Sequence, residues 1–300
     1  MMKLRRVGLI IMVLIGGGVL SGCQKQATKD STAKINIVTT TNFYGEVAKA
    51  VGGDRVKVTS IINQPSVDPH DFEPTPAVAQ KVAKADIVLA NGIGYDGWMN
   101  KVVQSTDSAQ FIRVGEDVLK RKAGVNEHLW YDTQTMPAVA EYLANQLAKK
   151  RPQDRAYFEA NAKKYVATLK PVQRVVKQLQ AKVQKLDNRD VLVSEPVFDY
   201  ALTNLGFKVG NTDFENAVEK GTDPSPKVIQ NMQTALKKGQ VACFVDNSQV
   251  SDKIVDNMVT LANKNKVPVL KVTETMPANM TYQQWMLKQY QQLNQLLSAS

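Results

Sequence analysis

Short apolar runs alternate along the chain with stretches of helical periodicity, which is typical of α/β proteins. Compact apolar runs predict strands at INIVTT (35–40), RVKVTSII (55–62), DIVLANG (86–92), QFIRV (110–114), DVLVSE (190–195), VACFVD (241–246) and VPVLKVT (267–273). Helical patterns lie between them at 43–51, 76–85, 137–150, 198–206, 225–239 and 251–265, and a last helix begins near Thr281. We therefore predict an α/β fold with mostly parallel sheets.

One helical stretch, 154–186, is much longer than the others. Its apolar stripe recurs at steps of three and four residues and consists of Phe158, Ala162, Tyr165, Leu169, Val172, Val176, Leu179, Val183 and Leu186. Such a helix would be about 50 Å long, and Pro171 should bend or split it. A coiled coil is the alternative, but the stripe covers only about four to five heptads and has no clear pattern of flanking charges. We interpret the stretch as a backbone helix that connects two lobes.

This interpretation divides the chain into five parts. The first is a signal peptide, 1–22, with a basic start and an apolar run too short to span a membrane. A polar, flexible tether (23–34), an N-terminal lobe (35–152), the connecting helix (153–187) and a C-terminal lobe (188–300) follow.

The signal peptide ends in LSGC, which resembles the lipobox of bacterial lipoproteins. The resemblance implies that Cys23 becomes the mature N-terminus and carries lipid; the alternative is an ordinary signal with an incidental cysteine. Cys243 then remains without a pairing partner and is expected to be a buried small hydrophobe. Losing three basic residues with the signal reduces the formal net charge from +10 to about +7. This surplus is spread along the chain, so it does not indicate nucleic-acid binding.

The only two histidines of the chain lie in dense polar and aromatic motifs, His70 in DPHDFEPTP and His128 in NEHLWYD. Glu195 and Glu274 each end a predicted strand, which is where open α/β sheets bind ligands. Two imidazoles and two carboxylates from four distant segments could enclose one divalent cation. The alternatives are a hydrogen-bonded structural histidine, a carboxylate at a helix start and a surface acid.

Other polar and aromatic side chains could support these four. Asp68, Asp71 and Glu73 crowd His70, where one carboxylate could accept the second imidazole N–H and the others could be caps or solvated acids. Asp246 ends the strand VACFVD and is an alternative carboxylate for support or capping. Three aromatic residues could shield the site from water or simply fill the core: Trp130, Tyr131 and Trp285.

Four motifs together resemble the metal-binding receptors of ATP-driven manganese and zinc importers. They are DPHDFEPTP with DIVLANGIGYDGWM, NEHLWYD, VSEPVFDYALTNLGF and VTETMPANMTYQQWM. The resemblance covers the chain from Cys23 onward and implies two α/β lobes joined by one long helix. It also implies the metal ligands His70, His128, Glu195 and Glu274.

The chain departs from many members of that family at three points. The third and fourth ligand positions are both glutamate, and the histidine-rich loop of many zinc receptors is absent. Two imidazoles with carboxylate oxygens form a harder donor set than three histidines do, which favours Mn²⁺, although Zn²⁺ has the higher intrinsic affinity for such groups.

We therefore predict a monomeric receptor, not an enzyme, that is lipid-anchored to the cell membrane on its extracellular or periplasmic side. It would bind Mn²⁺ or Zn²⁺ and deliver the ion to an ABC transporter permease with its cytoplasmic ATPase. Binding should weaken in acid as His70 and His128 protonate. The alternatives are an exported metallohydrolase, a receptor for a chelate such as haem or a siderophore, and an adhesin.

Overall fold

The computed structural model describes residues 33–106, 109–250 and 252–299, and these residues contain two parallel β-sheets. The first sheet has the order β2-β1-β3-β4, formed by β1 Ile35–Thr41, β2 Val56–Ile62, β3 Ile87–Ala90 and β4 Gln110–Arg113. Its central strand β1 is hydrogen-bonded in parallel register on both sides. The accompanying helices are α1 Asn42–Gly52, α2 Pro76–Ala83, α3 Trp98–Gln104 and α4 Thr135–Lys150.

The second sheet repeats the parallel arrangement in the order β6-β5-β7-β8. Its strands are β5 Asp190–Val193, β6 Lys208–Val209, β7 Cys243–Asn247 and β8 Val269–Val272. Its helices are α7 Asp199–Leu205, α8 Thr212–Glu219, α9 Pro226–Lys237, α10 Lys253–Lys264 and α11 Tyr282–Ala299. Gly206 ends α7 with a φ of 95°, a left-handed conformation that glycine adopts without a Cβ penalty.

The predicted strands and helices are confirmed, and three of the strands and α-helices in the described residues were not predicted. These are β6, α3 and α8, which have two, seven and eight residues. Periodicity is a weak signal in elements of this length, because one or two turns of helix contain too few apolar positions to define a face. The omission of α8 matters, since this helix reaches the candidate site.

A pair of nearly continuous helices connects the two sheets. α5 spans Arg155–Thr168 and α6 spans Lys170–Val183, so Leu169 is the single residue between them. Pro171 lies in the first turn of α6, where a missing N–H costs no intrahelical hydrogen bond. The expected split near this proline is confirmed, and the fold is two α/β lobes joined by a long helical connection. The residue limits assigned to the lobes remain a prediction.

The lobes also share a continuous apolar core. The largest buried cluster runs from Ile37 in the first sheet to Leu270 in the second. Aromatic rings fill the region between the sheets, where Trp130 lies 4.8 Å from Phe43 and Tyr131 lies 5.6 Å from Trp285 between ring centroids. Trp130, Tyr131 and Trp285 are therefore core residues, and the Trp130 ring also packs against the imidazole of His128 at 5.3 Å between centroids.

The predicted signal peptide, Cys23 and nearly all of the tether lie outside the described residues. Within those residues, no helix combines the length and the apolar character that crossing a membrane requires. Cys243 is fully buried in β7, as expected, and burial raises the pKa of its thiol to about 12.

Candidate metal centre

The candidate ligands lie in segments that follow strands of both sheets. His70 follows β2 and His128 lies in the loop between β4 and α4, whereas Glu195 follows β5 and Glu274 follows β8. The four side chains therefore come from both lobes, as the sequence pattern indicated.

The imidazole of His70 is surrounded by carboxylates. Its Nδ1 lies 3.7 Å from Oε1 of Glu127, whereas its Nε2 lies 3.3 Å from Oε1 of Glu219 and 3.7 Å from Oε1 of Glu274. The backbone N–H of His70 donates to Oδ1 of Asp68 at 2.8 Å, which fixes the loop at this residue. The side chain keeps 27% of its surface exposed, so the site is accessible from this side.

The second imidazole, that of His128, is completely buried. Asn126 Oδ1 accepts from the His128 backbone N–H at 2.9 Å and lies 3.0 Å from its Nδ1. Because an amide oxygen only accepts, this contact assigns the ring proton to Nδ1 and leaves the lone pair on Nε2. That Nε2 has no hydrogen-bond partner among the described residues and lies 3.6 Å from Oε1 of Glu219.

The two predicted glutamates differ in their relation to the histidines. Glu274 forms a cluster with His70 and His128, in which one ligand atom from each residue lies within 4.8 Å of the other two. Its Oε1 is buried and lacks a hydrogen-bond partner in the described part of the chain. Glu195 is also buried, but its Oε2 accepts a hydrogen bond of 2.7 Å from Nδ2 of Asn247, and it belongs to neither cluster found among the described residues.

Glu127 and Glu219 were missed by sequence reasoning. They form a second cluster with His70 under the same 4.8 Å criterion. Glu127 directly precedes His128, and Glu219 is the last residue of α8. The sequence NTDFENAVEKG contained signals for the short helix that carries Glu219. Asn211 is a possible N-cap, and Gly221 can end the helix.

The predicted supporting carboxylates differ in position. Asp68 accepts from the backbone N–H of His70, and its charge favours a higher pKa for His128, Glu195 and Glu274. Asp71 and Glu73 are exposed, and the carboxylates beside the His70 ring are those of Glu127, Glu219 and Glu274. Asp246 is buried at the end of β7, and the charged groups that influence its pKa are Lys271 and Asp256 rather than the histidines.

Burial and mutual charge shift the pKa values of the candidate ligands in opposite directions. Burial lowers the pKa of His70, but the three carboxylates around it, with Glu219 foremost, outweigh burial and raise the pKa to about 9. Burial dominates for His128 and lowers its pKa to about 4. Burial also raises the pKa of Glu274 to about 8 and that of Glu195 to about 7, so at pH 7 Glu274 is mostly neutral and Glu195 is about half protonated when no cation is bound.

A cavity of about 550 Å³ adjoins the two histidines. Its lining includes four carboxylates, those of Glu127, Asp199, Glu215 and Glu219, together with Lys220. Asp199 and Glu215 contact each other, and burial together with this pairing raises the pKa of Glu215 to about 8. The carboxylates of this cavity favour a cation over a chelate that carries acidic groups of its own, such as haem.

Two sheets that contribute imidazoles and carboxylates to one cluster define a two-lobed, cation-binding class of protein. The zinc-uptake complex component A family (ZnuA, periplasmic) matches residues 37–296, and the chain belongs to this family. Its members are substrate-binding proteins of metal ABC importers and not enzymes, so the metallohydrolase alternative is wrong.

Relatives of the chain are named as substrate-binding or metal-binding lipoproteins. The chain is 25% identical over 283 residues to the metal ABC transporter substrate-binding lipoprotein FimA of Streptococcus parasanguinis, covering 90% of this chain and 88% of the relative. It is 25% identical over 265 residues to the manganese-binding lipoprotein MntA of Halalkalibacterium halodurans, with 87% and 85% covered.

Solved structures confirm the fold. The periplasmic zinc-binding protein TroA of Treponema pallidum superimposes with a TM-score of 0.72 at 18% identity, covering 88% of this chain and 99% of that chain. The Mn-bound periplasmic metal-binding protein of Candidatus Liberibacter asiaticus gives a TM-score of 0.70 at 18% identity, covering 88% and 100%.

Proposed function

We propose that the protein captures a divalent transition metal ion outside the cytoplasm and delivers it to an ABC permease with its ATPase. The proposed ligands are His70, His128, Glu195 and Glu274, supplied by loops of both lobes. The observation that carries the proposal is the cluster of His70, His128 and Glu274, in which Nε2 of His128 and Oε1 of Glu274 are buried and have no hydrogen-bond partner among the described residues. Leaving a buried polar atom unpaired costs about 1–3 kcal/mol, so the arrangement supports a ligand that satisfies both atoms.

The donor set favours Mn²⁺ over Zn²⁺ as the transported ion. Two imidazoles and two carboxylates are harder than the sulfur-rich or histidine-rich sets that select Zn²⁺. Zn²⁺ still binds such groups with higher intrinsic affinity, so selection between the metals depends on geometry and on the supply of each ion.

We further propose that lipid on Cys23 anchors the protein to the outer face of the cell membrane, with residues 24–34 as a tether. The lipobox-like sequence supports this anchor, and the curated relatives are lipoproteins by name. A monomer suffices, since one chain supplies all the proposed ligands.

The ligand assignment is tested by elemental analysis of protein that is purified without chelators and then dialysed against equimolar Mn²⁺ and Zn²⁺. We expect about one equivalent of metal in the natural sequence and less than about a tenth of this in His128→Ala and Glu274→Gln, because each change removes a proposed ligand. Glu159→Gln alters an exposed acid on α5 and is the matched control. Full retention by both ligand variants would refute the assignment.

A further inference from the structure

Glu219 occupies a position that the four-ligand proposal leaves unexplained. Its Oε1 lies 3.3 Å from Nε2 of His70 and 3.6 Å from Nε2 of His128, so one carboxylate oxygen contacts both imidazoles. The side chain is only 13% exposed, although charged groups are seldom buried without a partner. None of the four motifs that carry the family resemblance includes this residue.

We propose that Glu219 is a further metal ligand and favours Mn²⁺ over Zn²⁺; this inference rests on the proposed function. Two ligands that are 2.1 Å from one tetrahedral ion lie about 3.4 Å apart. The distances from Glu219 to the two imidazole nitrogens match this edge, as does the 3.7 Å between His70 Nε2 and Glu274 Oε1. Glu219 thus lies where a neighbouring ligand of the same ion would lie.

The fold holds Glu219 at this position through the start of α8. Asn211, directly before the helix, accepts from the backbone N–H of Val193 at 3.0 Å and donates to the carbonyl of Val193 at 2.6 Å. Phe214 is fully buried in the apolar cluster of the second lobe. The helix is therefore fixed to the end of β5 and to the core, and its last residue reaches the histidines as part of a rigid element.

Glu127 also lies in a cluster with His70 and Glu219, but it is not included in the proposed ligand set. It faces Nδ1 of His70, whereas Glu219 and Glu274 face Nε2. The two nitrogens of an imidazole point in different directions, so a group at Nδ1 orients the ring and does not share the ion at Nε2. Glu127 is accordingly a positioning residue.

An additional carboxylate changes the preference between metals. Zn²⁺ is usually complete with four ligands, whereas larger and harder ions accept more oxygen ligands. With Glu219 the site offers two imidazole nitrogens and three carboxylates. These five ligands are more than the four that Zn²⁺ usually binds, but Mn²⁺ can accept all of them.

The test compares Glu219→Gln with Asp213→Asn, which removes the same charge from an exposed position on the same helix. Dissociation constants for Mn²⁺ and Zn²⁺ are measured separately by competition with a fluorescent chelator. We expect Glu219→Gln to weaken Mn²⁺ binding at least about tenfold and Zn²⁺ binding less than about threefold. Asp213→Asn should match the natural sequence for both metals.

Visible absorption of bound Co²⁺ gives a second readout, because the d–d bands become stronger as the coordination number falls. Loss of a ligand in Glu219→Gln should intensify the bands, an effect that a structural role would not produce. Unchanged Co²⁺ spectra together with equal Mn²⁺ affinities in the two variants would overturn the inference.

The variant His128→Ala distinguishes failure of the Glu219 inference from failure of the proposed function. If the natural sequence binds metal and His128→Ala does not, the receptor assignment stands whatever Glu219→Gln shows. If the natural sequence binds neither metal, both proposals fail.

Discussion

Adding Mn²⁺ to the protein at pH 7 should release about two protons for each ion bound, because the proposed ligands hold protons in the cation-free protein. A pKa of about 9 leaves His70 almost fully protonated at pH 7. Glu274, with a pKa of about 8, is mostly protonated, and Glu195, with a pKa of about 7, is half protonated. His128 releases none, since its pKa of about 4 leaves it neutral at pH 7.

The apparent affinity for the metal ion should depend on pH. Protons compete with the cation, so apparent affinity falls as pH falls, most steeply below the raised pKa values of about 8 for Glu274 and about 9 for His70. Near pH 7 the logarithm of the association constant should rise by about two per pH unit and level off above about pH 9. The sequence alone predicted competition from both imidazoles, but burial removes His128 from it because the lowered pKa keeps this ring neutral.

Isothermal titration calorimetry at pH 7 in two buffers with different ionisation enthalpies measures the released protons. Glu274→Gln should release about one proton fewer with whatever affinity it retains, because glutamine has no proton to lose at this pH. Absence of proton release at pH 7, or release only below about pH 6.5, the range of an unperturbed histidine, would refute the reasoning.

The hydrogen bonds and pKa values of the site also predict the effects of two substitutions and of pH. Asn126→Ala should weaken metal binding by about 10- to 100-fold, measured by chelator competition, because the buried imidazole loses the acceptor that fixes its tautomer. The cation-free protein should lose thermal stability from about pH 7 to 9, since His70 and Glu274 hold protons in the folded state that the unfolded chain has already lost; a rising melting temperature would contradict this. Glu215→Gln should raise the melting temperature, because it removes a buried carboxyl from its contact with Asp199, whereas a lower value would show that the pair is stabilising.

Strand ends explain why part of the site was predictable. Glu274 and Glu195 each follow an apolar run that predicts a strand, and parallel strands present their carboxyl ends at one edge of a sheet. Sequence order alone therefore places these acids at a ligand-binding edge. Spacing does not determine side-chain direction, however, and this is why the hydrogen bond from Asn247 to Glu195 could not be foreseen.

The unpredicted parts depend on tertiary contacts. Glu219 lies on a helix of eight residues, and its distance from His70 and His128 depends on how α8 is fixed to β5. Closeness in sequence does not determine contact either. Asp71 and Glu73 lie close to His70 in the sequence, but both are exposed.

The shared core limits how far the two lobes can move apart. Trp130 and Trp285 are buried between the lobes, and the hydroxyl of Tyr282 donates to the carbonyl of Trp130 at 2.6 Å. A tryptophan buries up to about 250 Å², which at about 25 cal/mol per Å² corresponds to roughly 6 kcal/mol for each ring that a separation of the lobes exposes. Displacing only the loop of His70, whose side chain is 27% exposed, leaves both tryptophans buried. If the protein releases a bound metal ion as proposed, we therefore expect release by local movement of this loop and not by separation of the two lobes.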